Sequence, residues 1–212
     1  MKKIIFILFV IVFFIETPAQ FRYGIEAGIN IATIKGNYPQ KLSSTTGILI
    51  GINGSYNFFD DLSIESGLYL SQKGVTRILF NDIQGIETYT YLEVPLNLKY
   101  NLPITEPGKT FIFGGLYGAN LLSAGVRPDN EGQSSSVNLG DMIPSWDYGI
   151  NIGLGQSFNI STGVMNIKVK YSLGLATLDK AYNVIKYGEQ FISDGSNKLN
   201  NSVISITVGY TY

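Results

Sequence analysis

The chain has 212 residues, a net charge of −1, and neither cysteine nor histidine. Without cysteine there is no disulfide framework and no lipid-modified cysteine, and the near-neutral charge lacks the basic footprint of a protein that binds nucleic acid. Without histidine, the usual triads and zinc sites are excluded. Carboxylates alone could do acid–base work, but the composition favours a protein that is not an enzyme, with no catalytic residue, cofactor or metal.

The first segment predicts an export signal. Lys2–Lys3 precede an apolar run over Ile4–Ile15, and Thr17–Ala19 follow it. A basic start, about a dozen apolar residues and a small-residue end are typical of a secretory signal peptide, whereas a membrane-spanning helix needs about 20 apolar residues. We predict a signal peptide over 1–19 and a single exported domain over 20–212.

Alternation of apolar and polar residues with period 2 predicts eight strands in that domain. Each is at least as long as the roughly 9–11 residues that a tilted strand needs to cross a bilayer. The predicted strands are Phe21–Ile34, Thr46–Phe58, Leu62–Gly74, Thr88–Tyr100, Thr110–Leu122, Trp146–Phe158, Val164–Thr177 and Ser202–Tyr212.

The connections between these strands alternate in length. The long ones are Lys35–Thr45, Val75–Glu87, Ser123–Ser145 and Leu178–Asn201, and the shorter ones are Phe59–Asp61, Asn101–Lys109 and Asn159–Gly163. Outer-membrane barrels combine short periplasmic turns with longer extracellular loops. The pattern therefore predicts an all-β, eight-stranded, antiparallel up-and-down transmembrane β-barrel with both termini in the periplasm.

The two faces of the predicted strands differ in chemistry. One face is apolar and carries no Asp, Glu, Lys or Arg, as in Ile48, Ile50 and Ile52, and contact with lipid demands this absence. The other face mixes glycine with nine charged residues: Arg22, Glu26, Glu65, Lys73, Glu93, Lys99, Asp147, Lys168 and Lys170. Because eight strands enclose only enough space for side chains, we expect these charges to form a network that fills the lumen.

Glu93 and Pro95 allow two interpretations. An inward Glu beside a strand-breaking Pro could mark a binding or gating point. The favoured alternative is structural, with Pro95 at a bulge and Glu93 paired with an inward base, since a buried charge needs a partner. The candidate bases are Lys99, Lys168 and Lys170.

Aromatic residues gather near the predicted strand ends, as expected of girdles at the membrane interface. The predicted periplasmic girdle is Phe21, Tyr23, Tyr56, Phe58, Tyr100, Phe111, Phe113, Phe158, Tyr210 and Tyr212, and the thinner outer girdle is Tyr89, Tyr117, Trp146 and Tyr148. The last strand ends on Tyr210 and Tyr212, which resemble the terminal signal that outer-membrane barrels present to the barrel-assembly machinery.

Four segments together resemble the PorT-like outer-membrane β-barrel family. They are Tyr91–Tyr100, Gly114–Gly118, Asp147–Gly149 and Tyr171–Leu175, and the resemblance covers essentially the whole exported domain. It implies an integral barrel in the bacterial outer membrane, usually without an assigned activity. One branch of that family is tied to protein secretion and gliding, but nothing in this sequence assigns the chain to that branch.

Three functions follow from these observations. The leading hypothesis is a non-enzymatic, monomeric barrel in the outer-membrane lipid bilayer that acts as a scaffold or interaction protein and binds a protein partner through its extracellular loops. The second is a narrow pore or a barrel that transports a small ligand, in connection with protein secretion. The third is a soluble, lipocalin-like barrel that binds an apolar molecule with its apolar face inside.

Overall fold

The computed structural model describes residues 21–36, 42–78, 84–105, 108–128, 137–138, 143–178, 182–186, 189–193 and 198–212. The predicted signal peptide over 1–19 lies outside these residues. Within them, no helix is long and apolar enough to cross a membrane.

Strands make up nearly all of the described chain, because alternating apolar and polar residues suit a two-faced sheet. Their bounds are β1 (Phe21–Gly36), β2 (Thr45–Asn57), β3 (Leu62–Ile78), β4 (Gln84–Thr105), β5 (Lys109–Pro128), β6 (Val137–Asn138), β7 (Trp146–Ile160), β8 (Gly163–Gly174), β9 (Tyr182–Lys186), β10 (Glu189–Ser193) and β11 (Leu199–Thr211).

Eight of these strands close into a barrel. β4, β3, β2, β1, β11, β8, β7 and β5 follow one another around the sheet, each antiparallel to the next, and a β4–β5 ladder closes the ring. The predicted fold class is therefore confirmed. The two-residue β6 pairs with β5, and β9 and β10 form a separate hairpin within the connection between β8 and β11.

Several barrel strands are longer than predicted at the same end of the barrel. β3 and β4 remain paired as far as Ile78 and Gln84, so much of the predicted Val75–Glu87 loop is a continuation of these two strands. The end of the barrel at which β1, β3 and β5 end is here named the loop end. The opposite end, at which β2, β4 and β7 end, is named the turn end.

The apolar face points outward. Ile25, Ile52, Leu96 and Ile152 have 60%, 60%, 53% and 65% of their surface exposed, although a water-soluble barrel would bury such side chains. The opposite face, with Glu26, Glu93 and other polar residues, points into the lumen and is buried. This polarity is the reverse of the soluble, lipocalin-like alternative, which the structure does not support.

Four predicted girdle residues point inward instead. Phe111, Phe113, Tyr89 and Tyr117 are buried, with at most 7% of their surface exposed, so their placement on the lipid-facing surface is wrong. Both faces of β5 carry bulky apolar residues, and alternation alone could not assign its sides. The remaining aromatic residues include well-exposed ones at the turn end and, at the loop end, Trp146 and Tyr148.

Pro95 also departs from expectation. Pairing between β3 and β4 is interrupted opposite Pro95, but the register is the same on both sides of the interruption. Register shifts of β4 lie instead on its β5 side, between Thr90 and Tyr91 and between Asn101 and Thr105. Proline removes one ladder donor, and here the sheet tolerates this loss without a bulge, while Ser66 Oγ donates to the Pro95 carbonyl oxygen at 2.7 Å.

Candidate functional site

The lumen contains a first group of charges nearer the turn end, named here the Glu26 cluster (Glu26, Glu65 and Lys168). Lys168 Nζ on β8 lies 3.0 Å from Glu26 Oε2 on β1 and also pairs with Glu65 on β3. Glu26 accepts further hydrogen bonds from Tyr69 and Thr207. One lysine on β8 thus joins two carboxylates from β1 and β3, and β3 lies across the lumen from β8.

A second group is named the Glu93 cluster (Lys73, Glu93, Asp147 and Lys170). Lys73 Nζ lies 2.9 Å from Glu93 Oε2 and 3.1 Å from Asp147 Oδ2, and Lys170 Nζ lies 3.2 Å from Glu93 Oε1. Lys73, Glu93 and Asp147 are each at most 2% exposed. Two acids and two bases balance in charge, which is the condition for keeping such a group away from water.

The structure therefore brings seven of the nine predicted lumen charges into ion pairs. For Glu93 it selects Lys170 from the three bases considered and adds Lys73, whereas Lys99 and Lys168 do not pair with it. Lys99 instead places Nζ 3.8 Å from the ring centroid of Phe111. Arg22 is exposed at the turn end and forms no ion pair with the residues that the structure describes. The network is thus smaller than predicted at this end.

Aromatic rings fill space that glycines leave on neighbouring strands. A Cβ atom at Gly153 would lie 2.4 Å from Phe113 Cζ, and one at Gly155 would lie 2.4 Å from Phe111 Cζ. Cβ atoms do not tolerate such distances, so β7 needs glycine wherever a β5 ring crosses it. The predicted crowding of the lumen is present, and inward aromatic rings contribute to it together with the charges.

Apolar side chains close the lumen at the loop end. They are named here the loop-end plug and comprise Ile34, Val75, Tyr89, Tyr91, Tyr117, Ala119, Ala124 and Leu178. Leu178 belongs to the connection after β8 and is 3% exposed, so a connecting segment contributes to the closure. Lys73 lies beneath the plug, with Nζ 4.3 Å from the ring centroid of Tyr117.

A charged group that the sequence analysis missed lies at the loop end. Arg77 pairs with Glu87, whose other carboxylate oxygen accepts a hydrogen bond from Tyr89. Arg77 and Glu87 were assigned to a loop, so their inward positions were not recognised. Extending the alternation of β3 by two further residues beyond Val75 would have placed Arg77 on the same face as Lys73.

The turn end contains a polar cavity of about 220 Å³, named here the turn-end cup. Arg22, Lys99 and Lys109 line it together with Asp60, Glu65 and many Asn and Ser side chains. In the described part of the chain, no three acidic residues come close enough to hold a metal ion. The cup is the polar opening of a lumen whose other end is closed by apolar groups.

The aromatic C-terminus lies on the outer surface at the turn end. Tyr212 is 62% exposed, and its ring stacks on Tyr23 with 5.6 Å between centroids. The ring of Tyr210 meets that of Tyr212 edge to face at 4.7 Å. The last residues of the chain are therefore held against the start of β1, the strand with which β11 pairs.

A closed barrel with an uncharged apolar band around its exterior and a polar, ion-paired interior defines an integral barrel of the outer membrane. The chain belongs to the family described as outer membrane protein beta-barrel domain, whose model matches residues 16–180. These observations place it in the bacterial outer membrane. A comparison with curated proteins finds no match.

Solved structures of outer-membrane proteins resemble this fold. OprG from Pseudomonas aeruginosa has a TM-score of 0.54 at 14% identity, over 90% of this chain and 95% of that one. Ail of Yersinia pestis has a TM-score of 0.46 at 16% identity, over 91% and 99%. Neisserial surface protein A has a TM-score of 0.45 at 11% identity, over 89% and 96%. At such identities the likeness concerns the fold alone.

Proposed function

We propose that this protein is a non-enzymatic, monomeric scaffold or interaction barrel that does not conduct ions steadily and that meets a protein partner with its extracellular loops. The observation that supports this most is the filled lumen. Three lysines and four carboxylates form ion pairs that join β1, β3, β4, β7 and β8. A charge fixed in such a pair is not available to lead an ion along a path.

The loop-end plug supports the same proposal. Its members are at most 9% exposed, so ions would have to cross a dry apolar layer after leaving the Glu93 cluster. The turn-end cup supports the alternative of a narrow pore or small-ligand transporter, but its volume of about 220 Å³ reaches only part of the way into the barrel.

Planar-bilayer recording decides between scaffold and pore. We expect the purified, reconstituted barrel to show little steady conductance. Stable single-channel currents whose ion selectivity changes in Glu93→Ala, without a loss of stability, would overturn the scaffold proposal in favour of transport. An empty-vesicle fusion and a heat-denatured sample serve as controls for leakage.

The loop end is the proposed interaction surface. The connection between β8 and β11 spans 175–198 and contains the β9–β10 hairpin. The turn end offers only short connections between strands, so the loop end presents more chain for contact with a partner. The resemblance of Tyr91–Tyr100 to the PorT-like family leads us to propose that family as the closer affiliation. The link of one branch of that family to secretion is not extended to this chain.

We further propose that residues 1–19 are removed on export and that the barrel-assembly machinery recognises Tyr210 and Tyr212. Tyr212 is exposed, so its loss leaves the interior unchanged. Deleting Tyr212 or replacing it with Asp should lower the amount of folded barrel in the membrane and increase periplasmic degradation. The heat-dependent gel shift of membrane fractions measures this amount, and Tyr148→Asp, at the other end of the lipid-facing surface, is the control.

Normal insertion of both Tyr212 variants would contradict the assembly proposal. A processed protein found soluble in the periplasm would contradict membrane integration itself.

A further inference from the structure

A groove of about 690 Å³ crosses the lipid-facing surface of β4, β5, β7 and β8. Its lining is almost entirely apolar and includes Leu98, Ile112, Ile152, Leu154 and Val169. These residues belong to the uncharged outward face, so the groove is continuous with the surface that meets bilayer lipid.

The groove exists because β5 carries a glycine on its outward face. Gly114 pairs with Leu98 on β4 and with Ile152 on β7, and both of these neighbours are exposed. A Cβ atom at Gly114 would meet only the Asn151 carbonyl oxygen, at 3.4 Å. The missing side chain therefore leaves open space between two protruding apolar rows.

The same row of residues leads to a polar end. Ile152 pairs with Tyr171 on β8, and Tyr171 also lines the groove. Lys35 Nζ donates a hydrogen bond to Tyr171 Oη at 3.0 Å, and Tyr171 Oη lies 3.1 Å from Ser202 Oγ. The apolar groove thus ends at the Tyr171 hydroxyl group, which accepts a hydrogen bond from the Lys35 ammonium group.

Lys35 is well placed for an anion at the edge of the lipid-facing band. It is the first charge on the outward face of β1, after Ile29, Ile31 and Thr33. No carboxylate among the described residues pairs with Lys35. Its ammonium has three donors, of which one reaches Tyr171, so donors remain for a phosphate. A lysine that merely extends towards the headgroups would need neither the groove nor Tyr171.

We propose that this site binds one lipid of the outer membrane, with an acyl chain in the groove over Gly114 and an anionic phosphate headgroup on Lys35 and Tyr171. Two features support a lipid as the occupant: the groove is continuous with the lipid-facing surface, and its loop-end boundary carries an unpaired positive charge. The proposal is independent of the lumen and of the scaffold function.

Native mass spectrometry of the mature protein tests this proposal. The barrel is released from nanodiscs that contain equal amounts of phosphatidylglycerol and phosphatidylcholine with the same acyl chains. We expect one retained lipid per barrel, with phosphatidylglycerol preferred. Lys35→Gln should reduce this preference about fivefold, because one lysine near anionic lipid contributes about that factor, and Tyr171→Phe should reduce it in the same direction. Arg127→Gln, on β5, is the charge control.

Gly114→Leu fills the groove and should reduce the retention of both lipids. Gly118→Leu is the matched control, because Gly118 lies beyond Leu116 on the same face of β5 and a Cβ atom there meets nothing within 4 Å. The heat-dependent gel shift verifies that all variants fold, so that a loss of retention is not a loss of barrel.

Equal retention by the Gly114→Leu and Gly118→Leu variants would overturn the acyl-chain site. An unchanged lipid preference in Lys35→Gln would overturn the headgroup site. A third arm adds inorganic phosphate to the wild-type protein. If inorganic phosphate at millimolar concentration displaces phosphatidylglycerol, the site recognises a free anion and the lipid proposal is wrong.

Discussion

The two ends of the lumen differ in how their lysine side chains are stabilised. Near the loop end, Lys73 is 2% exposed and contacts two carboxylates beneath the apolar plug. At the turn end, Lys99 lines an open cup and rests on the ring of Phe111 without a carboxylate partner among the described residues. A lysine removed from water needs counter-charges, whereas a lysine beside a hydrated cavity can use water and an aromatic face.

This difference predicts that the lumen excludes water towards the outside of the cell and admits it from the periplasm. Each of the following experiments changes one end and uses the other as its reference. The protein contains a single Trp and no Cys. Tryptophan fluorescence therefore reports on Trp146, and thiol labelling reports on whichever cysteine is introduced.

The largest effect is expected for Glu93→Ala, which leaves Lys73 with one carboxylate and Lys170 with none among the described residues. Removing one partner of a buried pair costs about 3–5 kcal/mol. Glu65→Ala at the turn end should cost only about 1 kcal/mol, because Lys168 keeps Glu26. Urea unfolding in vesicles, monitored by Trp146 fluorescence, measures the free energy of unfolding of both variants. Equal losses would contradict the proposed difference between the ends.

An intermediate effect is expected for the rate at which a charged thiol reagent labels cysteines introduced at the two ends of the lumen. Asn57→Cys in the turn-end cup should react readily, whereas Ala124→Cys in the loop-end plug should react at least about tenfold more slowly, since thiol reactivity follows exposure. Adding Leu178→Ala to the Ala124→Cys variant should accelerate labelling, because it removes an apolar side chain from the plug. If both cysteines react at the same rate, the plug does not exclude water.

The smallest effect is expected for Lys99→Met, which removes the charge but retains an unbranched chain over Phe111. The lost cation–π contact is worth about 0.5–1 kcal/mol. Lys73→Met should be far more damaging, because it leaves Asp147 without its lysine and weakens the pairing of Glu93. The same unfolding measurement compares them. A loss for Lys99→Met as large as that for Lys73→Met would show that the turn end is as dry as the loop end.

Much of the architecture was predictable because a strand has a simple period. Ile48, Ile50 and Ile52 recur at every second position. The same period in the other segments predicted eight strands whose bounds mostly agree with the structure within a few residues. The lengths of the connections predicted which end carries the loops. The absence of charge on one face predicted which face is outside, because lipid does not tolerate a charge that water would accept.

The sequence could not predict where the long strands end. It also could not predict which face of a strand points inward when both faces are equally apolar. Arg77 and Glu87 lay in a predicted loop, but the β3–β4 ladder continues past them and turns both inward. Phe111 and Phe113 were assigned to the girdle because they lie near a predicted strand end, and alternation could not distinguish their face from that of Ile112, which is just as apolar. Their inward direction depends on Gly153 and Gly155 on β7, which are remote in sequence and leave room for the rings.

The sequence by itself thus determined the class of fold, most of the lipid-facing surface and most of the inward charges, because each depends on residues one or two positions apart. Only the tertiary structure decided which inward charges form ion pairs with one another. Lys73 meets Asp147 and Lys168 meets Glu26 across 74 and 142 residues of chain. The register and closure of the barrel bring such residues together, and these are properties of all eight strands at once.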